Sequence, residues 1–176
     1  MKGGEPWFNF YLIAGLATLL TGCASTKDPT DKLSTLLRVH LEAQPQQMIP
    51  SGTIVVYRKA PEVVRIESLV LLTEEHVVRA RVVEQMGTYA VQLQFSEWAI
   101  PLLEHNSSSY QGRRLAIQAQ WGPKQEFGRW LGAPPMKQKI VDGTLTFTPD
   151  ATREECYQIV TGLNNNARKT KKQLQW

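Results

Sequence analysis

Residues 66–121, IESLVLLTEEHVVRARVVEQMGTYAVQLQFSEWAIPLLEHNSSSYQGRRLAIQAQW, carry the pattern that decides the fold. Its clearest signal lies at the centre. Tyr89, Val91, Leu93 and Phe95 share one face of an extended chain, and Ala90, Gln92 and Gln94 share the other. That alternation predicts a strand with one buried face. Met86-Gly87 supplies the turn to a preceding strand around Arg81 to Glu84. Thr73 before Glu74 and Glu75 predicts the start of a short helix after the strand Leu69 to Leu72, because acids in the first turn suit the helix dipole. Ser96 predicts the cap of a second helix, with Trp98, Leu102, Leu103 and Tyr110 on its inner face. Pro101 falls after the first turn of that helix, which predicts a kink or a delayed start. Gly112 ends it. Leu115, Ile117, Ala119 and Trp121 then alternate with Arg114, Ala116, Gln118 and Gln120 in another one-sided strand. The order strand-helix-strand-strand-helix-strand is the split βαβ pattern of ferredoxin-like sandwiches. The expected fold class is α+β, a two-layer sandwich of mostly antiparallel sheet with helices on one face.

The flanks extend this sheet. Leu37, Val39 and Leu41 alternate with Arg38, His40 and Glu42, a half-buried strand that leaves His40 on the solvated side. Thr53 to Tyr57 and Val63 to Ile66 read as a hairpin around Arg58-Lys59-Ala60-Pro61. Gly122 to Pro135 is expected to be an irregular loop, with Trp121 and Phe147 in the core on either side of it. Asp142-Gly143 predicts a hairpin joining Lys139-Ile140-Val141 to Thr144 to Thr148. Thr152 and Glu155 form a capping box, opening a helix with Cys156, Ile159, Val160 and Leu163 at helical spacing. Gly162 and Asn164-Asn165-Asn166 are expected to end that helix. A basic tail with Arg168, Lys169, Lys171 and Lys172 follows, either solvated or against anionic headgroups.

The N-terminus addresses the protein. An apolar run from Phe8 to Leu20 is too short for the roughly 20 apolar residues of a membrane span, and it ends in Leu20-Thr21-Gly22-Cys23. That ending resembles the lipobox of bacterial lipoproteins. The resemblance implies that residues 1–22 are a signal peptide, and that Cys23 is lipidated, palmitate included, and anchors the chain to a membrane. Ala24 and Ser25 follow, with no Asp beside the cysteine, and in the lipoproteins it resembles that favours the outer membrane over the inner one, facing the periplasm. Residues 23–32 are polar and contain Pro29, a tether. The expected divisions beyond it are N-terminal strands at 33–68, a second region at 69–164 and a tail at 165–176. With Cys23 lipidated, Cys156 has no partner for a disulfide. Apolar content of 42% supports a real core, and the net charge of +4 is spread along the chain except at its end. Export argues against nucleic acid as the partner of that charge.

A second resemblance rests on Ala133-Pro134-Pro135, Ile140-Val141-Asp142-Gly143-Thr144-Leu145, Ala151-Thr152-Arg153-Glu154-Glu155-Cys156 and Gly162-Leu163-Asn164. Their order is similar to the head subdomain of the first periplasmic domain of the SecD protein-export subunit. That family has an A-P step before an "I-x-x-G" hairpin and a "T-x-E-E-A" helix start, with Cys156 here in place of the usual alanine. Leu72-Thr73-Glu74, Ala80-Arg81-Val82-Val83 and Gly112-Arg113-Arg114-Leu115-Ala116-Ile117 fit the same subdomain, so the resemblance covers residues 69–164. It implies a non-enzymatic head that moves and contacts exported polypeptide outside the translocation pore. No base subdomain and no membrane bundle are expected beside it.

His40, His76 and His105 lack metal-ligand spacing, Ser107-Ser108-Ser109 lacks a nucleophile context, and no glycine-rich phosphate cradle is present. No catalytic residue, metal or cofactor is therefore expected. Phe127 and Trp130 sit in the expected loop among Lys124, Arg129 and Lys137, which makes them the candidate polypeptide-binding residues. The function expected is a lipid-anchored envelope module that binds exported polypeptide or translocation machinery. The alternative is a structural envelope lipoprotein with the same fold and no export role.

Overall fold

The structure, a computed structural model, describes residues 29–173 other than 47 and 86. The lipidation residue expected at Cys23 lies outside the described residues. Eight strands and two helices follow in the order β1 (Ser34–Glu42), β2 (Ser51–Val56), β3 (Glu62–Thr73), β4 (Val77–Gln85), β5 (Thr88–Phe95), α1 (Ile100–Ser109), β6 (Leu115–Gly122), β7 (Phe127–Gly132), β8 (Thr144–Phe147) and α2 (Arg153–Gln173). Every ladder is antiparallel, so the fold is α+β as its alternating patterns predict. The strands of the central stretch divide between two sheets. One has the order β2-β3-β1-β6-β7, the other β4-β5-β8.

The five-stranded sheet curls. Its long strand β3 pairs with β2 through its first half and with β1 through its second, with register shifts on either side of His40. The curl brings the outer strands towards each other. The Ala133 N–H donates to the Tyr57 hydroxyl at 3.0 Å, and the Arg58 N–H donates to the Asp150 carboxylate at 2.9 Å. One face of the sheet meets α2 and the second sheet in the main core, which includes Leu37, Val39, Leu72, Leu93, Phe95, Ile117, Trp121, Leu131, Phe147 and Leu163. The concave face holds a smaller core of Val56, Val64, Ile66, Ala116 and Ala133, with Tyr57 and Trp130 packed against it.

Helix α2 locks the two sheets together. Its capping box forms as its sequence predicts: the Glu155 N–H donates to Thr152 Oγ1, and the Thr152 N–H donates to the Glu155 carboxylate. Cys156, Ile159, Val160 and Leu163 are buried against β4, β1 and β6. Each larger side chain among them contributes about 1.5–3 kcal/mol when fully buried.

Local expectations change here, each for a physical reason. The helix does not stop at Gly162 or at the asparagines but runs to Gln173. Gly162 lets α2 touch β1, since an added Cβ would lie 2.3 Å from Thr35 Oγ1 and 2.8 Å from the Ser34 carbonyl carbon. The asparagines bond to strand and loop backbone rather than to their own helix. Trp98 is 70% exposed, not core. Pro101 forces α1 to start at Ile100, so Ala99 takes the inward position and Trp98 turns out to stack on His76 with ring centroids 5.0 Å apart. His40 is buried, not solvated, because the curl makes its face a second core. There its Nδ1 lies 2.9 Å from the Glu67 carbonyl and its ring meets Trp130 edge-on. Finally, the Asp142-Gly143 turn is present, but β8 pairs with β5 instead of with residues 139–141. The Ile140 N–H is taken by Ser107 Oγ and Lys139 pairs with Glu104, so α1 holds that arm.

Candidate functional site

Phe127 and Trp130 occupy a strand, β7, not the loop expected for them. Gly122 at φ 112° and Gln125 at φ 56° turn the chain tightly, and residues 127–132 then pair with β6. The structure separates the two side chains. Phe127, half exposed, lies against Trp121 on the α2 face of the sheet. Trp130 is half-buried on the concave face with His40 and Tyr57. They do not form one surface.

The sheet edges give a clearer lead, because a strand edge is a row of backbone donors and acceptors that must be paired, covered or left as a template. The β4 edge is capped at Ala80. The Ala80 N–H donates to Asn164 Oδ1 and Asn164 Nδ2 donates to the Ala80 carbonyl, both at 2.9 Å, so one side chain imitates a neighbouring strand. The edges of β2 and β7 converge through Tyr57, Arg58 and Asp150. Asp150 also ties in through its own N–H, which donates to the Leu131 carbonyl.

The β8 edge is different. The Phe95 N–H donates to the Gly143 carbonyl, and the register continues through Leu93–Leu145 and Val91–Phe147. Bonded and non-bonded pairs alternate in an antiparallel ladder, so Thr144 and Thr146 direct their backbone groups away from β5. The Thr144 N–H is used by Asp142 Oδ1. That leaves the Thr144 carbonyl and both backbone groups of Thr146 without a protein partner among the described residues. They border a groove of 690 Å³ lined on one side by Thr144 to Thr148 and on the other by Pro134 to Ile140, with the buried Leu115, Met136, Leu145 and Phe147 supplying apolar surface.

The far wall is fixed in place. The Met136 N–H donates to the Arg113 carbonyl, the Gly112 and Leu115 N–H groups donate to the Met136 and Pro134 carbonyls, and Gln111 Nε2 donates to the Lys137 carbonyl. Lys137 stands exposed there with its ammonium outside any ion pair among the described residues. Asp142, at the turn, is held below the usual carboxylate range chiefly by the Thr144 N–H and next by the Thr144 hydroxyl, so it stays ionised. A rigid groove with open backbone groups, apolar lining and a free cation is suited to an extended peptide segment.

Reading the sequence alone missed this site. Its signal was present as Thr144-Leu145-Thr146-Phe147-Thr148, a strand with one buried and one polar face, preceded by Pro134-Pro135. Which edge it leaves open depends on its partner β5, some fifty positions earlier, and no local pattern encodes that. Among the described residues no group of three or more His, Cys, Asp or Glu side chains converges as a metal site, and no helix is long and apolar enough to cross a membrane.

No family model matches the sequence, and no match appears among curated proteins. The fold does match solved structures. One, described as "Structure and function of a membrane component SecDF that enhances protein export", superposes with a TM-score of 0.53 at 20% identity over 76% of this chain and 64% of that one. A second, "Crystal structure of SecDF in Super-membrane-facing form", gives 0.53 at 20% identity over 74% of this chain and 19% of that one. This chain thus spans less than two thirds of the first and a fifth or less of the second. The likeness carries the architecture alone: this chain has a fold similar to that of the solved SecDF structures, over a span wider than residues 69–164.

Proposed function

We propose that this protein is a lipid-anchored envelope protein, held in the membrane through Cys23 and facing the periplasm, whose SecD-like head binds an extended segment of exported polypeptide by strand addition at the free edge of β8. The carrying observation is that the outward backbone groups of Thr146 open into a groove with apolar lining. Main-chain bonds give such a site affinity without demanding a particular sequence, which suits a binder of many unfolded chains. The SecDF relationship supports the substrate class, since the SecDF of the first solved structure enhances protein export. The binding and accessory role is non-enzymatic on this reading, because the groove offers backbone groups, threonine hydroxyls and apolar contacts.

The test is site-specific photocrosslinking from Thr146 and from Lys137 to unfolded secretory substrates, on the wild-type protein and on Thr146→Pro. Proline removes the outward N–H of an edge strand and spares the ladder on the other side. Crosslinks from both positions in the wild type, lost in Thr146→Pro at unchanged thermal stability, are expected. Absence of crosslinks in the wild type, or crosslinks indifferent to the proline, leaves the structural envelope lipoprotein as the better account.

A further inference from the structure

We infer that the last two turns of α2, together with Trp98, form a membrane-facing surface that docks on anionic phospholipid headgroups. The inference rests on the lipid-anchor reading of Cys23. It starts from the point where the described chain begins. Asn165 Nδ2 donates to the Thr30 and Leu33 carbonyls at 2.8 and 3.0 Å, and Asn166 Nδ2 donates to the Thr35 carbonyl at 2.7 Å. The chain arriving from residue 28 is therefore pinned to the middle of α2. From residue 23 to residue 29 it can span no more than about 20 Å. A lipid on Cys23 would hold this end of the domain at the membrane.

What lies beside that point is positive. Arg168, Lys169, Lys171 and Lys172 are all exposed, beyond the last buried residue of the helix, Ala167. Lys172 lies about 10 Å along the axis from Asn165, at 1.5 Å per residue. None of the four is in an ion pair among the described residues. The acids of α2, Glu154 and Glu155, sit at its opposite end. Facing elements offset only part of the charge: Asp31 has Lys32 beside it, Glu74 accepts the Leu37 N–H, and Glu75 stands across a groove from Thr170 and Gln173.

Trp98 is the second observation. The residue lines that same groove, 70% exposed, with its ring stacked on His76. An exposed indole beside a cation cluster is what a membrane interface selects, the ring entering the headgroup layer while lysines meet lipid phosphates. A single acyl chain binds only marginally, and a polybasic patch is a sufficient second attachment. The attraction fades within a Debye length of about 8 Å, so it needs the close approach that the short tether enforces.

The experiment uses the full-length protein purified from membranes and reconstituted into vesicles of phosphatidylcholine alone or of phosphatidylcholine with phosphatidylglycerol. A membrane-impermeant amine reagent is applied, and peptide mass spectrometry reads labelling of Lys169, Lys171 and Lys172 against the exposed Lys59 and Lys124. Several-fold protection of the α2 lysines in anionic vesicles only, reversed by high salt and weakened in Trp98→Ser, is expected. Protein that floats with neutral vesicles but shows equal labelling in both lipids overturns the proposal and leaves the anchor intact. Protein whose N-terminal peptide carries no lipid on Cys23 by mass spectrometry overturns the anchor reading, and the proposal with it. Protection in native envelopes but not in anionic vesicles overturns it in favour of an acidic protein partner.

Discussion

At Gly162 two residue-scale preferences oppose each other. Glycine inside a helix costs about 0.5–1 kcal/mol relative to alanine, so propensity alone favours replacing it. Packing opposes the change, because the new Cβ would meet Thr35 Oγ1 at 2.3 Å and the Ser34 carbonyl carbon at 2.8 Å. A hydroxyl can rotate away, but the strand backbone cannot. Gly162→Ala is therefore expected to destabilise the protein by about 1–3 kcal/mol despite its better propensity, visible as a lower urea midpoint. An unchanged or raised midpoint would show that α2 does not press on β1 as described. The same residue shows where local reading ends. Gly162, with three asparagines after Leu163, is a helix stop by every local rule, and the helix ignores it because Asn164, Asn165 and Asn166 find partners on β4, at Thr30 and on β1. Cys156 was legible by contrast: its place on the apolar stripe predicted burial, and burial pushes its thiol up to about 11.

Between elements, the legible parts were those whose partners lie on one face. β5, β6 and α2 show clean periods, and the structure places them as those periods require. β7 and the buried His40 were not legible, since both depend on the curl that gives the five-stranded sheet a second core on its concave side. Polar residues on that side look solvated in sequence. The curl is fastened by Asp150, which bonds both the Arg58 backbone N–H and its guanidinium. Burial raises the Asp150 pKa, but the Arg58 side chain and N–H outweigh it, and the net value lies below the ordinary 3.8. A carboxylate with a depressed folded pKa contributes stability that is present above its unfolded pKa and lost as pH falls through the folded one. The seam between β2 and β7 is thus expected to loosen at and below about pH 4. Hydrogen exchange at Arg58 and Ala133 should accelerate there, and Asp150→Asn, which cannot titrate, should flatten that acid dependence. The same acceleration in Asp150→Asn would assign the acid response to other groups.

For the whole molecule, the central question is whether two sheets and two cores unfold as one unit. The main core takes side chains from β1, β3, β4, β5, β6, β7 and β8 and from both helices, and α2 packs across both sheets. No cut between residues 68 and 69 separates independent cores, since β1 lies between β3 and β6 in one sheet. The smaller core shares β3 and β6 with the main one, so it cannot lose its strands while the main core keeps them. Among the described strands only β2 lies wholly outside the main core. A single cooperative transition is therefore expected in urea, as in most domains of this size. Cys156 gives a probe of the main core, because its buried, protonated thiol should react with iodoacetamide only when α2 leaves the sheet. Thiol reactivity, far-ultraviolet circular dichroism and tryptophan fluorescence should share one midpoint. Leu163→Ala, which empties a buried position on α2, should lower that midpoint for all three together, by about 2–5 kcal/mol in unfolding free energy. A thiol that reacts before the other signals change would mean that α2 undocks on its own and that the three-stranded sheet with its β8 edge is carried by a separable unit.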